Sequence, residues 1–570
     1  MTRILLLILM SFSLQAVSKD KSQGVDKNGI TQLSPQMVLI GGGLKVCSSY
    51  VKTHCLQPLR KSELMKPLLR TTKELVVTSD TIKEVGKDSY HLFPDKSMLD
   101  ELSSHLDRYL KKYGNEPVDI DTFYSRMNRL KEGGQKGFEK FLSELNQRQS
   151  QFIEQSLQAP LESKEGKALT EKAYLNYSDE DTVRIIQKAQ HLSQVIAEAK
   201  GKDKARVLIL TSSSSDLFDA VSFYLHLFAN EQIETAWLPL EPAFLEVSLS
   251  ENLRCEDIEV IRAQSQQQYF RSRVYPLLSQ YQHVFCHKPE LLNELILSAD
   301  ALFINGGDQT LTLQSFVKDA TNLREFSPYY GLIKKQFEAG KLLIMGTSAG
   351  TAVQSGNHED GNKLPMISNG GSLRGGYEGA MPVLVPPAAS CTEESSCPKG
   401  LQANSLTYNP RGGLGLVNLG VFDTHFSERE RLVRLSRLLL DTQSSLGIGI
   451  DENTALHLTK RNGKYQYLVY GQGATWFVDS SQAKLLKSPN KITMENVSIA
   501  VMRQKDKNLW SEREMIQVAF KGIECETKIK LGCQLVTGDE NYPLVLQVTS
   551  SDYTLTDDVI SVNLTIGLSH

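Results

Sequence analysis

The chain has 570 residues, too many for one simple core, so a large domain with insertions or two to three domains are expected. Lys and Arg number 63 against 66 Asp and Glu, a formal net charge of −3. That balance argues against nucleic acid or another polyanion as the partner of the surface as a whole.

The N-terminus reads as an address. Arg3 supplies a positive start, residues 4–12 an apolar run, and residues 14–18 a small-residue cleavage site. This predicts a secretory signal peptide over residues 1–18 and a secreted or periplasmic destination. The run is too short to span a membrane, no second long one follows, and no integral membrane segment is expected after cleavage. The eight cysteines fall into sequence neighbours. In an exported chain this predicts disulfides Cys47–Cys55, Cys255–Cys286, Cys391–Cys397 and Cys525–Cys533, chosen for their loop-like spacing. His283 and His287 stand four apart, but residues 284–285 read as a strand, where that spacing makes no chelate, so no metal site is expected.

Residues 37–44 are an apolar strand running into three glycines, the expected first strand of a parallel sheet. No acidic partner follows a second strand as dinucleotide binding requires, so the glycines read as a close-packed loop. Residues 56–200 are charged and helical in period, with Leu99, Leu102, Leu106 and Leu110 on one stripe and Phe138, Phe141, Leu145 and Phe152 suggesting another. They are expected to form a helical insertion, either structural or a lid or partner-binding cap. Strand–helix alternation resumes at residues 205–210 and continues through candidate strands 235–240 and 301–305, which predicts a doubly wound parallel sheet. Ligands bind such sheets at the carboxyl ends of strands.

Two of those ends carry chemistry. Gly306-Gly307-Asp308-Gln309 follows one strand. The apolar run 341–345 leads into Gly346-Thr347-Ser348-Ala349-Gly350, a G-x-S-x-G turn that small residues then continue as a helix. Strand, sharp turn and helix make a nucleophile elbow, with Ser348 as candidate nucleophile. A further strand over residues 414–422 runs into Asp423-Thr424-His425-Phe426-Ser427, with His425 as candidate base and Ser427/Glu430 as a capping box for a helix through Leu440. From Gly447 the pattern turns to β, with strands at 455–458 and 465–470. Past residue 485 no helix is expected, and Cys525 and Cys533 are expected to close a hairpin. The domains expected are a catalytic α/β domain over 37–55 and 201–485, the insertion over 56–200, and a β-rich region over 486–570.

Four motifs in order carry a family resemblance: Gly-Gly-Asp-Gln at 306–309, Gly-Thr-Ser-Ala-Gly at 346–350, Asp-x-His-Phe-Ser at 423–427 with Arg429, Arg431 and Arg434 after it, and Gly-Ile-Gly-Ile-Asp-Glu at 447–452. The chain resembles the cyanophycinase branch of the S51 serine peptidases, relatives of dipeptidase E, over about residues 37–44 and 205–510. The resemblance implies a flavodoxin-like, class I glutamine amidotransferase-like fold and a Ser-His-Glu triad. Ser348 and His425 match directly. The glycine-rich segment 366–378 resembles the one that carries the family's acid, which implies Glu378, with Glu359 second.

The implied chemistry is acyl transfer with no metal or cofactor. His425 takes the Ser348 proton, and the oxyanion is expected on the N–H of Ala349 and on one near Gly307 or Asp308. In the family the glutamine of the first turn and the arginines after the histidine hold aspartyl carboxylates, so Gln309, Asp423, Thr424, Arg429, Arg431 and Arg434 are the expected substrate contacts. Thr424 departs from the family's Asp-Gln-His. The expected substrate is cyanophycin or a similar aspartate-rich peptide, and a homodimer is a possible assembly. Two alternatives stand beside this reading: an α/β-hydrolase-type esterase, for which no His-Gly-Gly loop is found, and a non-catalytic binding protein on the same fold.

Overall fold

A computed structural model describes residues 33–57, 74–87, 90, 92–93, 95–130, 137–160, 170–318, 325–356, 364–388, 391, 397–398, 400–505, 507–508, 510–521, 523–527, 531–536, 545–555 and 559–569. The predicted signal peptide, and Glu359, lie outside the described residues. In chain order the strands that frame the site are β1 (Gln36–Ile40), β2 (Ala205–Leu210), β3 (Ile233–Trp237), β4 (Ala301–Ile304) and β5 (Leu343–Thr347). They are followed by β6 (Val421–Thr424), β7 (Leu446–Ile450), β8 (Thr454–Arg461), β9 (Lys464–Gly471), β10 (Ala474–Asp479) and β11 (Lys491–Arg503).

The fold is mixed α/β with a central, mostly parallel sheet in the order β9-β8-β1-β5-β4-β2-β3. Strands β1 to β5 are parallel neighbours, and β8 and β9 add an antiparallel hairpin at one edge. Their residues are apolar without strict alternation because both faces are covered. Helices Pro289–Ser298 and Pro328–Glu338 supply one apolar cluster, with Ile296, Ile333 and Phe337 against Leu208, Leu302 and Ile344. On the other face Ile185, Ile186, Ala189 and Ile196 of helix Glu180–Ala199 pack on Val38, Ile40, Val207 and Ile209.

That last helix was expected in the insertion; its apolar stripe instead covers the sheet. Helices Ser79–Lys87, Lys96–Tyr113, Ile120–Asn128, Phe138–Ser143 and Gln147–Leu157 share a separate core in which Leu99, Leu102, Leu106, Phe123, Phe141 and Phe152 are buried.

The strand before His425 does not join the central sheet. A second sheet runs β6-β7-β10-β11 and continues through strands Val559–Ser569, Val545–Leu555, Leu531–Val536 and Glu524–Thr527. The C-terminal strands thus extend a sheet begun at residue 421. Cys525 and Cys533 face each other across their hairpin, as expected. A helix, Glu512–Ala519, stands where none was expected; it buries Met515, Ile516 and Ala519 against this sheet. Three further local readings are corrected. Strand β6 is short and shifted: of the expected run 414–422 only residues 421–422 pair, and the strand continues to Thr424. The helix after His425 starts at Leu432, because the Ser427 N–H is taken by Asp451 and Glu430 adopts φ 52°. Finally, His283 and His287 lie in helix Pro276–His287, where their spacing puts them on one helix face.

All four expected cysteine pairs lie at disulfide distance, from 1.99 to 2.06 Å between sulfurs. Among the described residues no helix is long and apolar enough to cross a membrane.

Candidate active site

Three loops converge between the carboxyl ends of the two sheets. The first is the elbow after β5. Ser348 adopts φ 51° and ψ −114°, a backbone conformation costly for a residue with a Cβ. The surroundings hold it there. The Ser348 N–H donates to Ile40 O at 3.0 Å, and Thr351 Oγ1 donates to Ile40 O and Gly346 O at 2.8 and 2.9 Å. The flanking glycines allow the close approach: a Cβ on Gly346 would lie 2.3 Å from Gly350 O, and one on Gly350 2.2 Å from Ile304 O.

The second loop follows β6. His425 also has a positive φ, 48°, and its N–H donates to Gly41 O at 2.8 Å. The imidazole lies over Gly42, where a Cβ would stand 2.3 Å from His425 Cε1. The glycines after β1 are therefore a close-packed loop, and what they make room for is the ring. Ser348 Oγ and His425 Nε2 are 2.7 Å apart.

The third loop is the crossover 451–453, where the chain leaves β7 in the second sheet and enters β8 in the first. Its middle residue is Glu452, whose Oε1 lies 2.6 Å from His425 Nδ1. The expected acid, Glu378, is elsewhere. It ends helix Ser372–Glu378 and accepts from Arg374 Nε at 2.8 Å. The glycines of that segment serve packing: a Cβ on Gly375 would meet Leu406, and one on Gly376 would meet Val433 Cγ1 at 2.2 Å. The sequence signal for Glu452 was the acidic pair that ends an apolar strand, within a motif quoted above for other reasons.

The second and third loops brace each other. The Ser427 N–H donates to Asp451 Oδ1 at 3.0 Å, and the Glu452 N–H donates to Glu428 Oε2 at 3.0 Å. Asp451 also accepts from Ala474 N–H at 2.9 Å and from Trp476 Nε1 at 3.0 Å. Burial and the neighbouring Glu428 push its carboxyl up to about 7 against those donors. Burial lowers the His425 pKa; the bond to Glu452 raises it, and Arg429 and Arg431 lower it further, leaving it below the ordinary value.

Beside the serine, a Cβ on Gly306 would fall 3.1 Å from Ser348 Cβ. Gly307 has φ 139°, and a side chain there would strike Ser213 O. Among the described residues, neither the Gly307 N–H nor the Ala349 N–H donates to a protein acceptor. The Asp308 N–H, expected as a donor to the oxyanion, instead donates to Ser213 O at 2.7 Å, and its carboxylate caps the next helix at Thr310 N–H.

The expected carboxylate binders divide. Arg434 is buried and committed: Nε and Nη2 donate to Asp423 at 2.8 and 2.6 Å, and Nη1 donates to Gly370 O. Asp423 is 1% exposed and held ionised by those arginines against its burial. This pair is internal to the protein. Thr424 is buried, and its N–H donates to Asp423 Oδ1. Gln309 Nε2 donates to Ile367 O at 2.7 Å, which leaves its Oε1. Arg431 uses Nη1 for Asp423 and Thr424 O, and burial together with Arg434 presses it down to about 9. Arg429 is exposed. Among the described residues no group of three or more His, Cys, Asp or Glu is placed to hold a metal ion.

Comparison with known proteins is partial but consistent. The chain is 27% identical over 215 residues to a cyanophycinase of Trichormus variabilis, covering 37% of this chain and 57% of that protein. It is 28% identical over 204 residues to a cyanophycinase of Geminocystis herdmanii, 36% and 57% of the two chains, and 26% identical over 202 residues to one of Synechococcus elongatus, 35% and 48%. The matched stretch thus spans about half the length of the curated relatives. No protein-family model matches the chain. Over that stretch the chain is similar to cyanophycinases.

Proposed function

From that relationship with cyanophycinases, we propose that the chain is a serine peptidase cutting aspartyl or isoaspartyl bonds in cyanophycin or a similar aspartate-rich peptide. The observation that carries the reading is the continuous line Ser348 Oγ, His425, Glu452, with contacts of 2.7 and 2.6 Å, on a serine held at positive φ. A hydrogen-bonded serine and imidazole with a carboxylate on the far ring nitrogen is the arrangement that activates an alcohol for acyl transfer.

In this mechanism His425, neutral at the pH of reaction, takes the Ser348 proton as Oγ attacks the scissile carbonyl. Glu452 fixes the tautomer and stabilises the imidazolium. The oxyanion rests on the N–H groups of Ala349 and Gly307, which are uncommitted within the described protein and need no reorganisation. His425 then protonates the leaving amine. Water, deprotonated by the same ring, hydrolyses the acyl-enzyme. Arg429 and the unused nitrogens of Arg431 meet the substrate carboxylates. Arg431 suits this because its burial is incompletely compensated, so an incoming anion relieves it.

Export belongs to the same reading. It rests on the leader-like residues 1–18 and is supported by four cysteine pairs at bonding distance, which persist in oxidising compartments. The test is release of dipeptide from cyanophycin and from a panel of isoaspartyl peptides by the purified protein. Ser348→Ala is expected to abolish it; undiminished release by that variant removes Ser348 from the reaction.

A further inference from the structure

The pairing of the central sheet ties the elbow to a distant surface. Thr347 pairs with Ile40, Ile40 with Ala455, and Ala455 with Tyr470. Residues paired across strands point to one face, and three strand spacings are about 14 Å. Tyr470 therefore stands about that far across the sheet from the residue preceding the nucleophile, on the face covered by helix Glu180–Ala199.

A groove of about 770 Å³ opens there, lined by Arg184, Gln187, Lys188, Tyr470, Gln504 and Lys505. Three of these are cations and none is an acid. Lys188 Nζ lies 5.8 Å from the centre of the Tyr470 ring. Among the described residues Asp181 is a carboxylate that meets this cluster, 3.6 Å from Arg184 Nη1, and it also takes a 2.8 Å bond from Lys507 Nζ. Between groove and site stands Lys45. It lies two residues past Gly43, where a Cβ would fall 2.5 Å from Glu452 Oε2, and its Nζ donates to Gln472 Oε1 at 2.7 Å. Lys45 faces Asp179, and Arg184 and Lys507 face Asp181, so the excess positive charge is concentrated in the groove itself, on Lys188 and Lys505, a local feature hidden by the overall charge of −3.

We propose that this groove is an exosite for a carboxylate-rich stretch of the polymer cut at Ser348; the proposal rests on the hydrolase reading above. The 14 Å line equals about four extended residues, and because helix Glu180–Ala199 covers that face a polymer passes around it with a longer stretch. One chain therefore reaches both places, and the second contact becomes intramolecular, raising affinity for long chains over short ones. Each exposed ion pair contributes little by itself, so capture depends on several cations together and weakens with salt.

The test titrates Ser348→Ala protein with fluorescent poly-L-aspartate, with and without the added changes Arg184→Gln, Lys188→Gln and Lys505→Gln. The triple change is expected to weaken binding at least fivefold and to flatten its salt dependence. In the Ser348 background it lowers kcat/KM for long polymer and leaves that for a short isoaspartyl peptide unchanged. Equal poly-L-aspartate affinity with and without the triple change overturns the exosite. So does a triple change that costs binding to single-stranded DNA or anionic phospholipid vesicles and spares poly-L-aspartate. Hydrolysis that survives Ser348→Ala would instead sink the catalytic reading, and the titration still reports on the groove.

Discussion

His425 works against its own burial. Removal from water disfavours the imidazolium, and Arg429 and Arg431 add to that, while Glu452 pulls the other way; the net pKa is below the ordinary 6.5. In the proposed reaction His425 must be neutral to accept the serine proton. Activity is therefore gained as pH rises through a value below 6.5, and the acidic limb of kcat/KM is expected there. Arg429→Ala removes one of the cations that lower it, so the limb should move upward, which a pair of pH–rate profiles measures. An unmoved limb separates Arg429 from the ring. Ser348 and His425 were both legible in sequence because each sits where an apolar strand meets a turn or a helix start. Glu452 was less so. It occupies a three-residue crossover between sheets, and nothing in the periodicity says that a strand on each side belongs to a different sheet. Glu378 drew attention through its glycines, which turn out to relieve contacts with Leu406 and Val433.

The helix Leu432–Thr442 shows how an element can bury charge to hold a site. Its Arg434 binds Asp423 at the end of β6, two residues before His425, and both side chains are nearly inaccessible. Removing one partner leaves a buried charge uncompensated. Arg434→Met is expected to lower stability by about 3 kcal/mol in denaturant unfolding. Loss of substrate affinity at unchanged stability would show that Arg434 faces the ligand after all. At this scale β1, β2, β4, β5, β8 and β9 were legible as strands because buried strands are short apolar runs bounded by turns, whereas the pairing of β8 with β9 was not foreseen. Sequence reading took residues 284–285 for strand because a short apolar run fits either structure. It placed a capping box at Ser427 because a local pattern does not reveal that a distant carboxylate, Asp451, already holds that N–H.

Across the whole molecule the site lies between two sheets, so its geometry depends on how they are held together. The β7–β8 crossover is a covalent link between them, and the reciprocal bonds of Asp451 and Glu428 fix the loops on either side. The predicted arrangement of one sheet with a small β tail missed this, since strands of both sheets are equally apolar. The cysteine pairs were legible from spacing alone. Cys255 and Cys286 close the longest of the four loops, 31 residues apart, and tie the start of one helical segment to helix Pro276–His287. Chain entropy assigns such a loop about 3–4 kcal/mol. Cys255→Ser with Cys286→Ser is expected to lower unfolding stability by up to that amount while sparing kcat, because neither residue touches the site loops. Loss of kcat at unaltered stability would contradict that separation.

The identity of the third catalytic group decides most between the arrangement described here and its competitor. Steady-state hydrolysis of one isoaspartyl peptide by Glu452→Gln and by Glu378→Gln tests it. A fall in kcat of roughly 10³- to 10⁴-fold is expected for Glu452→Gln, with KM little changed, and near-native turnover for Glu378→Gln. Near-native turnover by Glu452→Gln, with collapse in Glu378→Gln, would contradict it.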